Sequence, residues 1–147
     1  MRRITYMMGN QAFATLKAEQ FMENVVSYFH AEDSVENLAA AMSEGGFGSV
    51  PILAKDGKVI GIVSEIDLLK AIMEGKDLGK VTADQVMTKN PVTVTAETLA
   101  LDLIRILYDK HLIRVPVVDA AGYLTGIVAR RDILEGYFKA TKRVWTF

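Results

Sequence analysis

Residues 50–69 decide the fold, and their sequence is VPILAKDGKVIGIVSEIDLL. Two short apolar runs flank a turn at Asp56-Gly57, where the glycine supplies the positive φ of a β-hairpin. Ser64 then opens a helix in which apolar residues recur at helical spacing. The stretch therefore predicts a strand, a turn, a second strand and a helix.

The same pattern returns 65 residues later as VPVVDAAGYLTGIVARRDIL, residues 115–134. At this offset Phe21–Leu69 aligns with Val86–Leu134 without a gap, and twelve of the 49 positions are identical. The identities include paired glycines, the paired proline and one acid, Asp67 with Asp132. Because self-similarity at a fixed offset marks duplicated structural units, we interpret the chain as two copies of one unit.

Each copy predicts the element order β-α-β-β-α. In copy one Ser34 caps the first helix, Gly46 ends it, and the upstream run Val25–Phe29 adds a strand; in copy two Thr98 and Val92–Val94 correspond to the cap and that strand. One such unit leaves an apolar sheet face bare, so two units must pack together to bury it. The expected fold class is α+β, with two βαββα units packed sheet to sheet in pseudo-two-fold symmetry.

The repeat divides the chain into a flanking helix over residues 1–20, copy one over 21–75, a linker over 76–85, copy two over 86–135 and a C-terminal tail over 136–147. The first helix of copy two is apolar on most sides, through Leu99, Leu101, Leu103, Ile104, Ile106 and Leu107. Such a helix is buried on more than one side. This favours a homodimer through the helices, and a thick core within one chain is the alternative.

Composition and motifs exclude several classes of protein. A net charge of −1 indicates no basic surface for nucleic acid or anionic lipid. There is no cysteine, no run of signal-peptide length and no apolar stretch near the ~20 residues of a membrane span, so we expect a cytoplasmic protein without a membrane partner. No nucleophile with a matched base, no Walker-type phosphate loop and no His/carboxylate cluster is present, which argues against an enzyme and against a metal site.

These motifs together resemble a tandem pair of CBS domains, of the cystathionine β-synthase type, known as a Bateman module. The matching residues are Val50-Pro51-Ile52 and Gly61–Asp67 in copy one, and Val115-Pro116-Val117 and Gly126–Asp132 in copy two. The resemblance covers about residues 21–135. It implies a cleft between the copies that holds AMP, ADP, ATP, S-adenosylmethionine or a dinucleotide as a regulatory ligand, with no catalytic cofactor.

The resemblance also implies the ligand-binding residues. An ionised Asp67 or Asp132 can accept hydrogen bonds from both ribose hydroxyls, and the helix N-terminus beside it presents N–H groups to phosphate. Apolar strand residues, Ile62 and Ile127, would contact adenine. By analogy the Asp67 cleft also gathers Ser64, Thr95, Ile113 and Arg114, and the Asp132 cleft also gathers Ala129, His30, Gly48 and Ser49. Two further cations, Arg130 and Arg131, begin the helix that faces a possible phosphate.

Structural interpretations stand beside these assignments. Ser64 with Asp67 is also a helix-capping arrangement, and the three arginines are also ordinary solvated surface. Two positions depart from the family pattern: Ala129 replaces the usual Ser or Thr, and Val26 replaces the proline matched by Pro91. The expected function is an adenosine-ligand sensor that controls a separate, unidentified protein or its own oligomer. A ligand-free dimerisation scaffold is the alternative.

Overall fold

The protein is described by a computed structural model that covers residues 13–145, with side chains through Ala140. It divides into two compact units. Of the described residues, unit 1 holds 13–24, Thr93–Asp119 and 125–145, and unit 2 holds Val25–Val92 and Ala120–Leu124. The units do not coincide with the two copies of the repeat. The first residues of copy one, through Asn24, belong to unit 1, and the first residues of copy two, through Val92, belong to unit 2.

Unit 2 is a four-stranded sheet with three helices. Its strands, in sheet order, are β1 Phe29–His30, β2 Ser49–Leu53, β3 Val59–Ser64 and β4 Thr88–Lys89. β1 is parallel to β2, and the other pairs are antiparallel. The helices are α1 Val35–Gly45, α2 Glu65–Met73 and α3 Ala83–Val86. They bury an aliphatic core that includes Val35, Leu38, Val50, Ile52 and Val63.

Unit 1 pairs two strands and packs two helices on them. The strands are β5 Arg114–Val118 and β6 Leu124–Ala129, and the helices are α4 Ala100–Asp109 and α5 Arg130–Trp145. A 3₁₀ turn at Ala18–Gln20 precedes copy one. The core includes Leu103, Leu107, Val115, Val117 and Val128, and the rings of Phe13, Phe21 and Tyr137 pack beside it.

The α+β fold class is confirmed, and so are the predicted ends of the first helix of copy one and its hairpin turn. Ser34 Oγ accepts the Asn37 N–H at 3.2 Å, which caps α1, and Gly46 ends α1 at φ 67°. Gly57 has φ 93°, as the predicted hairpin turn requires. No described helix among residues 13–145 has the length and apolar character that crossing a membrane requires.

Other local predictions were wrong. Val25 is 95% exposed, and the strand begins at Phe29 instead. The N-cap of α4 is Leu99 rather than Thr98, whose hydroxyl accepts the Thr95 N–H at 3.1 Å. The flanking helix over residues 1–20 stays a prediction: residues 13–14 are helical, Ala18–Gln20 form a 3₁₀ turn, and the part before residue 13 lies outside the described residues. The bound of the C-terminal tail at residue 136 also stays a prediction; helix α5 continues through Gly136, and Tyr137 packs against the unit 1 core.

A methionine lies against a strand glycine in each unit, in β6 of unit 1 and in β3 of unit 2. In unit 1 Met22 covers Gly126, where an added Cβ would lie 2.6 Å from Met22 Sδ and 2.9 Å from the Glu23 carbonyl oxygen. In unit 2 Met87 covers Gly61 in the same way. Any side chain on either glycine would therefore displace the segment that packs against the strand.

Gly126→Ala is expected to destabilise the protein more than Gly61→Ala. Overpacking of a close contact costs about 1–3 kcal/mol, and the Cβ at Gly126 also meets a fixed backbone oxygen. At Gly61 the clashing atoms belong to the flexible Met87 side chain, which can move. Urea denaturation of both variants measures the difference. Equal losses would show that backbone approach at Gly126 is not the constraint.

Candidate functional site

In copy one the residues around Asp67 form a compact corner at the start of α2. Asp67 Oδ2 accepts the Ser64 N–H at 2.8 Å and the Ser64 hydroxyl at 3.1 Å. Ser64 pairs with Ser49 across β2 and β3, and Glu65 N–H donates to the Gly48 carbonyl at 3.0 Å. The structure therefore brings Asp67, Ser64 and Ser49 together, and we call this group the Asp67 corner.

Copy two builds the corresponding Asp132 corner with the same backbone contacts. Asp132 Oδ2 accepts the Ala129 N–H at 2.8 Å, and Arg130 N–H donates to the Ile113 carbonyl at 3.0 Å. The bond to Ile113 ties the residue before Arg114 to the first turn of α5. Because Ala129 has no hydroxyl, the second side-chain bond of the Asp67 corner has no counterpart at Ala129.

The Asp132 corner is charged. Burial raises the pKa of Asp132 above its ordinary 3.8; Glu23 and Glu135 raise it further, while the Ala129 hydrogen bond and Arg114 oppose the rise. Burial also lowers the pKa of Arg114, and the negative charges of Glu23 and Asp132 oppose that decrease. Arg114 and Asp132 are therefore electrostatic neighbours in unit 1. The grouping of Arg114 with Asp67 in one cleft stays a prediction.

Sequence reasoning missed Glu23. Its backbone forms a two-bond bridge with Ile127, with Glu23 N–H donating at 2.9 Å and Ile127 N–H donating at 3.1 Å. In unit 2 the residue at the equivalent repeat position, Thr88, pairs with Ile62. The repeat alignment contained this signal, since it matches Glu23 with Thr88 and Ile127 with Ile62.

The remaining predicted residues have more varied surroundings. Ile62 is half-buried and Ile127 is fully buried, so the two predicted adenine contacts are not equally accessible. His30 N–H donates to Asp33 Oδ2 at 2.7 Å, and its ring contacts Tyr28 edge-on. Arg130 Nε donates to the Leu112 carbonyl at 2.7 Å. Thr95, Ile113 and Arg131 are at least partly exposed.

Two pockets lie within single units. A polar pocket of about 110 Å³ adjoins Asp67, between Lys70 and Lys76, and is smaller than the ~300 Å³ at which ligand pockets begin. An apolar groove of about 860 Å³ runs between α4 and α5 in unit 1, lined in part by Leu101, Ile104 and Leu134. Within residues 13–145, no cluster of three or more His, Asp or Glu could hold a metal ion.

The charge of Asp132 is expected to lower stability as the pH rises. Because the folded-state pKa is raised, ionisation costs stability above that pKa, and this cost is absent at a pH below 3.8. Asp132→Asn keeps an oxygen to accept the Ala129 N–H but cannot ionise. Thermal unfolding of ligand-free protein should show the variant gaining stability relative to the unaltered chain between pH 3 and pH 7. A difference independent of pH would contradict this.

Comparison with known proteins places these corners in a family. The sequence pattern of the CBS domain matches residues 18–74 and 83–139. Among solved structures, CBSX2 in complex with AMP has a TM-score of 0.75 at 26% identity, covering 84% of this chain and 97% of that one. The CBS domain pair of protein MJ0100, in complex with 5′-methylthioadenosine and S-adenosyl-L-methionine, has a TM-score of 0.75 at 23% identity, covering 82% and 94%.

Curated relatives match over most of this chain but are longer proteins. An uncharacterized Methanopyrus kandleri protein is 36% identical over 80% of this chain and 61% of its own length. Inosine-5′-monophosphate dehydrogenase of Korarchaeum cryptofilum is 32% identical, over 84% of this chain and 25% of the enzyme. The chain thus spans from a quarter to about three-fifths of these relatives. With two matched repeats and the fold of CBS domain pairs, the chain belongs to the CBS domain family.

Proposed function

We propose that this chain is a cytoplasmic regulatory module that binds an adenosine-containing ligand, AMP, ADP, ATP or S-adenosylmethionine, between its two CBS domains. Binding would control a partner protein or the chain's own oligomer, and the chain itself would catalyse no reaction. The observation that carries the proposal is the repeated corner, in which a part-buried aspartate follows a strand and begins a helix. The ligand need only bind two conformations of the module with different affinity.

The capping role of each aspartate is compatible with ribose binding. The capping bonds at both corners use Oδ2. A carboxylate has about four lone-pair sites over its two oxygens, so capping leaves acceptor capacity for a vicinal diol. Holding one oxygen in place also fixes the orientation of the other, which reduces the entropy lost on binding. Asp67 can therefore cap the helix through Ser64 and bind a ribose at the same time.

The comparisons support an adenosine ligand and a regulatory role. CBSX2, which is 26% identical to this chain, binds AMP. The MJ0100 domain pair, which has the same fold, binds two adenosine compounds. Relatives that share this segment include an arabinose 5-phosphate isomerase of Pseudomonas aeruginosa and inosine-5′-monophosphate dehydrogenases, whose reactions differ. A segment common to enzymes of unlike chemistry fits a regulatory domain better than a catalytic one.

Removing either carboxylate charge should weaken ligand binding without unfolding the protein. Asp67→Asn and Asp132→Asn each keep an acceptor for the cap but lose the charge. A charged hydrogen bond contributes about 1.5–3 kcal/mol, so affinity at the altered corner should fall about 10- to 100-fold. Calorimetric titration with AMP, ATP and S-adenosylmethionine measures the change.

The matched control for these variants is Asp56→Asn. Asp56 lies in the exposed hairpin turn, where it accepts the Lys58 N–H at 3.1 Å, and the substitution removes the same charge at the end of the hairpin opposite the Ser49–Ser64 pair. It should leave affinity unchanged. Absence of heat with all three ligands for the unaltered protein would refute the sensor and leave the ligand-free scaffold.

A specific observation also favours homodimerisation. Helix α2 exposes Ile66, Leu69, Ile72 and Met73 by 56–79%, and on α4 and α5 the exposed apolar residues include Leu101, Tyr108, Leu134 and Phe138. Isolated exposed apolar residues are ordinary, but stripes of them along helices are typical of interaction surfaces, and α4 and α5 also border the apolar groove of unit 1. A homodimer through these helices would cover them.

Leu134→Glu is expected to dissociate the dimer. Leu134 is 69% exposed and lines the groove, so the charge should be harmless in a folded monomer and costly when buried against a second copy. Light scattering after gel filtration should show a loss of at least about tenfold in dimer affinity, because burying an unpaired charge costs more than 1.4 kcal/mol. Val25→Glu, at a 95% exposed residue on neither stripe, is the control. A monomeric unaltered protein would contradict the proposal.

A further inference from the structure

Glu23 is held in a fixed place beside the Asp132 corner. Both of its backbone polar groups bond to Ile127, and its carbonyl lies against Gly126, so the segment cannot slide along β6. Ile127 uses its N–H and C=O on Glu23, which leaves the opposite edge of β6 to pair with β5. Glu23 and β5, which begins at Arg114, therefore flank the end of β6 from which α5 and Asp132 continue.

The three charged residues are held close along the chain and across the strands. Ala129, the last residue of β6, lies two residues after Ile127, to which Glu23 is bridged, and its N–H donates to Asp132. The Glu23 charge raises the pKa of both Arg114 and Asp132, as a nearby anion must. Glu135, in contrast, acts on Asp132 without a corresponding effect on Arg114.

The Asp67 corner offers an internal comparison, because its backbone contacts are the same and its side chains are uncharged where the Asp132 corner is charged. Ser49 replaces Arg114, and Thr88 replaces Glu23. The cation and the anion are thus present together in one copy and absent together in the other. A cation placed for phosphate alone would not require an anion fixed beside it.

We propose that the Glu23 charge, fixed beside the Asp132 corner by the bridge to Ile127, opposes phosphate at Arg114, so that Glu23 sets how strongly this corner favours phosphorylated over unphosphorylated adenosine ligands. The inference rests on the proposed function and adds to it a residue that determines selectivity. A phosphate that approaches Arg114 gains the attraction of the guanidinium, but it is also repelled by the nearby Glu23 charge, which offsets part of that attraction. An unphosphorylated ligand meets neither effect.

The test compares AMP with adenosine, which differ only in the phosphate, by calorimetric titration of the whole chain. Glu23→Gln should tighten AMP binding about 3- to 10-fold and leave adenosine affinity unchanged. The expected change in affinity lies between the contribution of an exposed ion pair and that of a hydrogen bond to a charged group. The backbone bridge to Ile127 does not depend on the side chain, so the variant should keep the melting temperature of the parent protein. If E23Q tightens both ligands equally, the proposal is wrong.

Two further variants separate the role of Glu23 from general charge removal. Glu135→Gln removes an equal charge near Asp132 and should change AMP affinity much less than E23Q does. In an Arg114→Met background, E23Q should no longer favour AMP over adenosine. Equal effects of E23Q and E135Q, or a full E23Q effect without Arg114, would overturn the proposal alone. No binding of either ligand would overturn the sensor function as well.

Discussion

The close approach of a methionine-bearing segment to a strand glycine is the constraint on which each unit depends. Met22 on Gly126 and Met87 on Gly61 are the same contact made twice. Glycine is required because a Cβ would occupy the space of the methionine side chain and, at Gly126, would press on a carbonyl oxygen. The contact sets the register in which the methionine-bearing segment pairs with the strand. The residue after each methionine, Glu23 or Thr88, therefore pairs with Ile127 or Ile62, near the Asp132 or the Asp67 corner.

This constraint explains why the compact units differ from the sequence repeat. A segment that leads into copy one completes the sheet built by copy two, and Thr88–Lys89 does the same for the sheet of copy one. Each unit therefore needs both halves of the chain to satisfy its strand edges, since an open edge leaves backbone N–H and C=O groups unpaired. Residues 120–124 come from copy two but also belong to unit 2, where the Gly122 carbonyl accepts the Val59 N–H at 3.1 Å.

The sequence predicted features that depend on local chemistry and on the repeat. The cap at Ser34 and the positive φ of Gly46 and Gly57 depend on local chemistry, and the duplicated motif predicted the family. What the sequence could not predict depends on contacts between distant residues. Val25–Phe29 has the composition of a strand, yet hydrogen bonding begins only where β2 lies alongside, at Phe29. Thr98 has the chemistry of a cap, but its hydroxyl binds Thr95 instead.

Glu23 shows the same limit at the site. Its charge sits in a segment whose residues look unremarkable in order along the chain, and its importance arises only when the bridge to Ile127 carries it beside Arg114. The repeat contained the information, because the fold places equivalent residues in equivalent positions even where their side chains differ. A duplicated fold can thus preserve one backbone frame around two aspartates while the surrounding charges diverge. If the proposed function holds, the shared aspartate would bind the ribose of a ligand in either copy, and the divergent neighbours would distinguish the rest of that ligand.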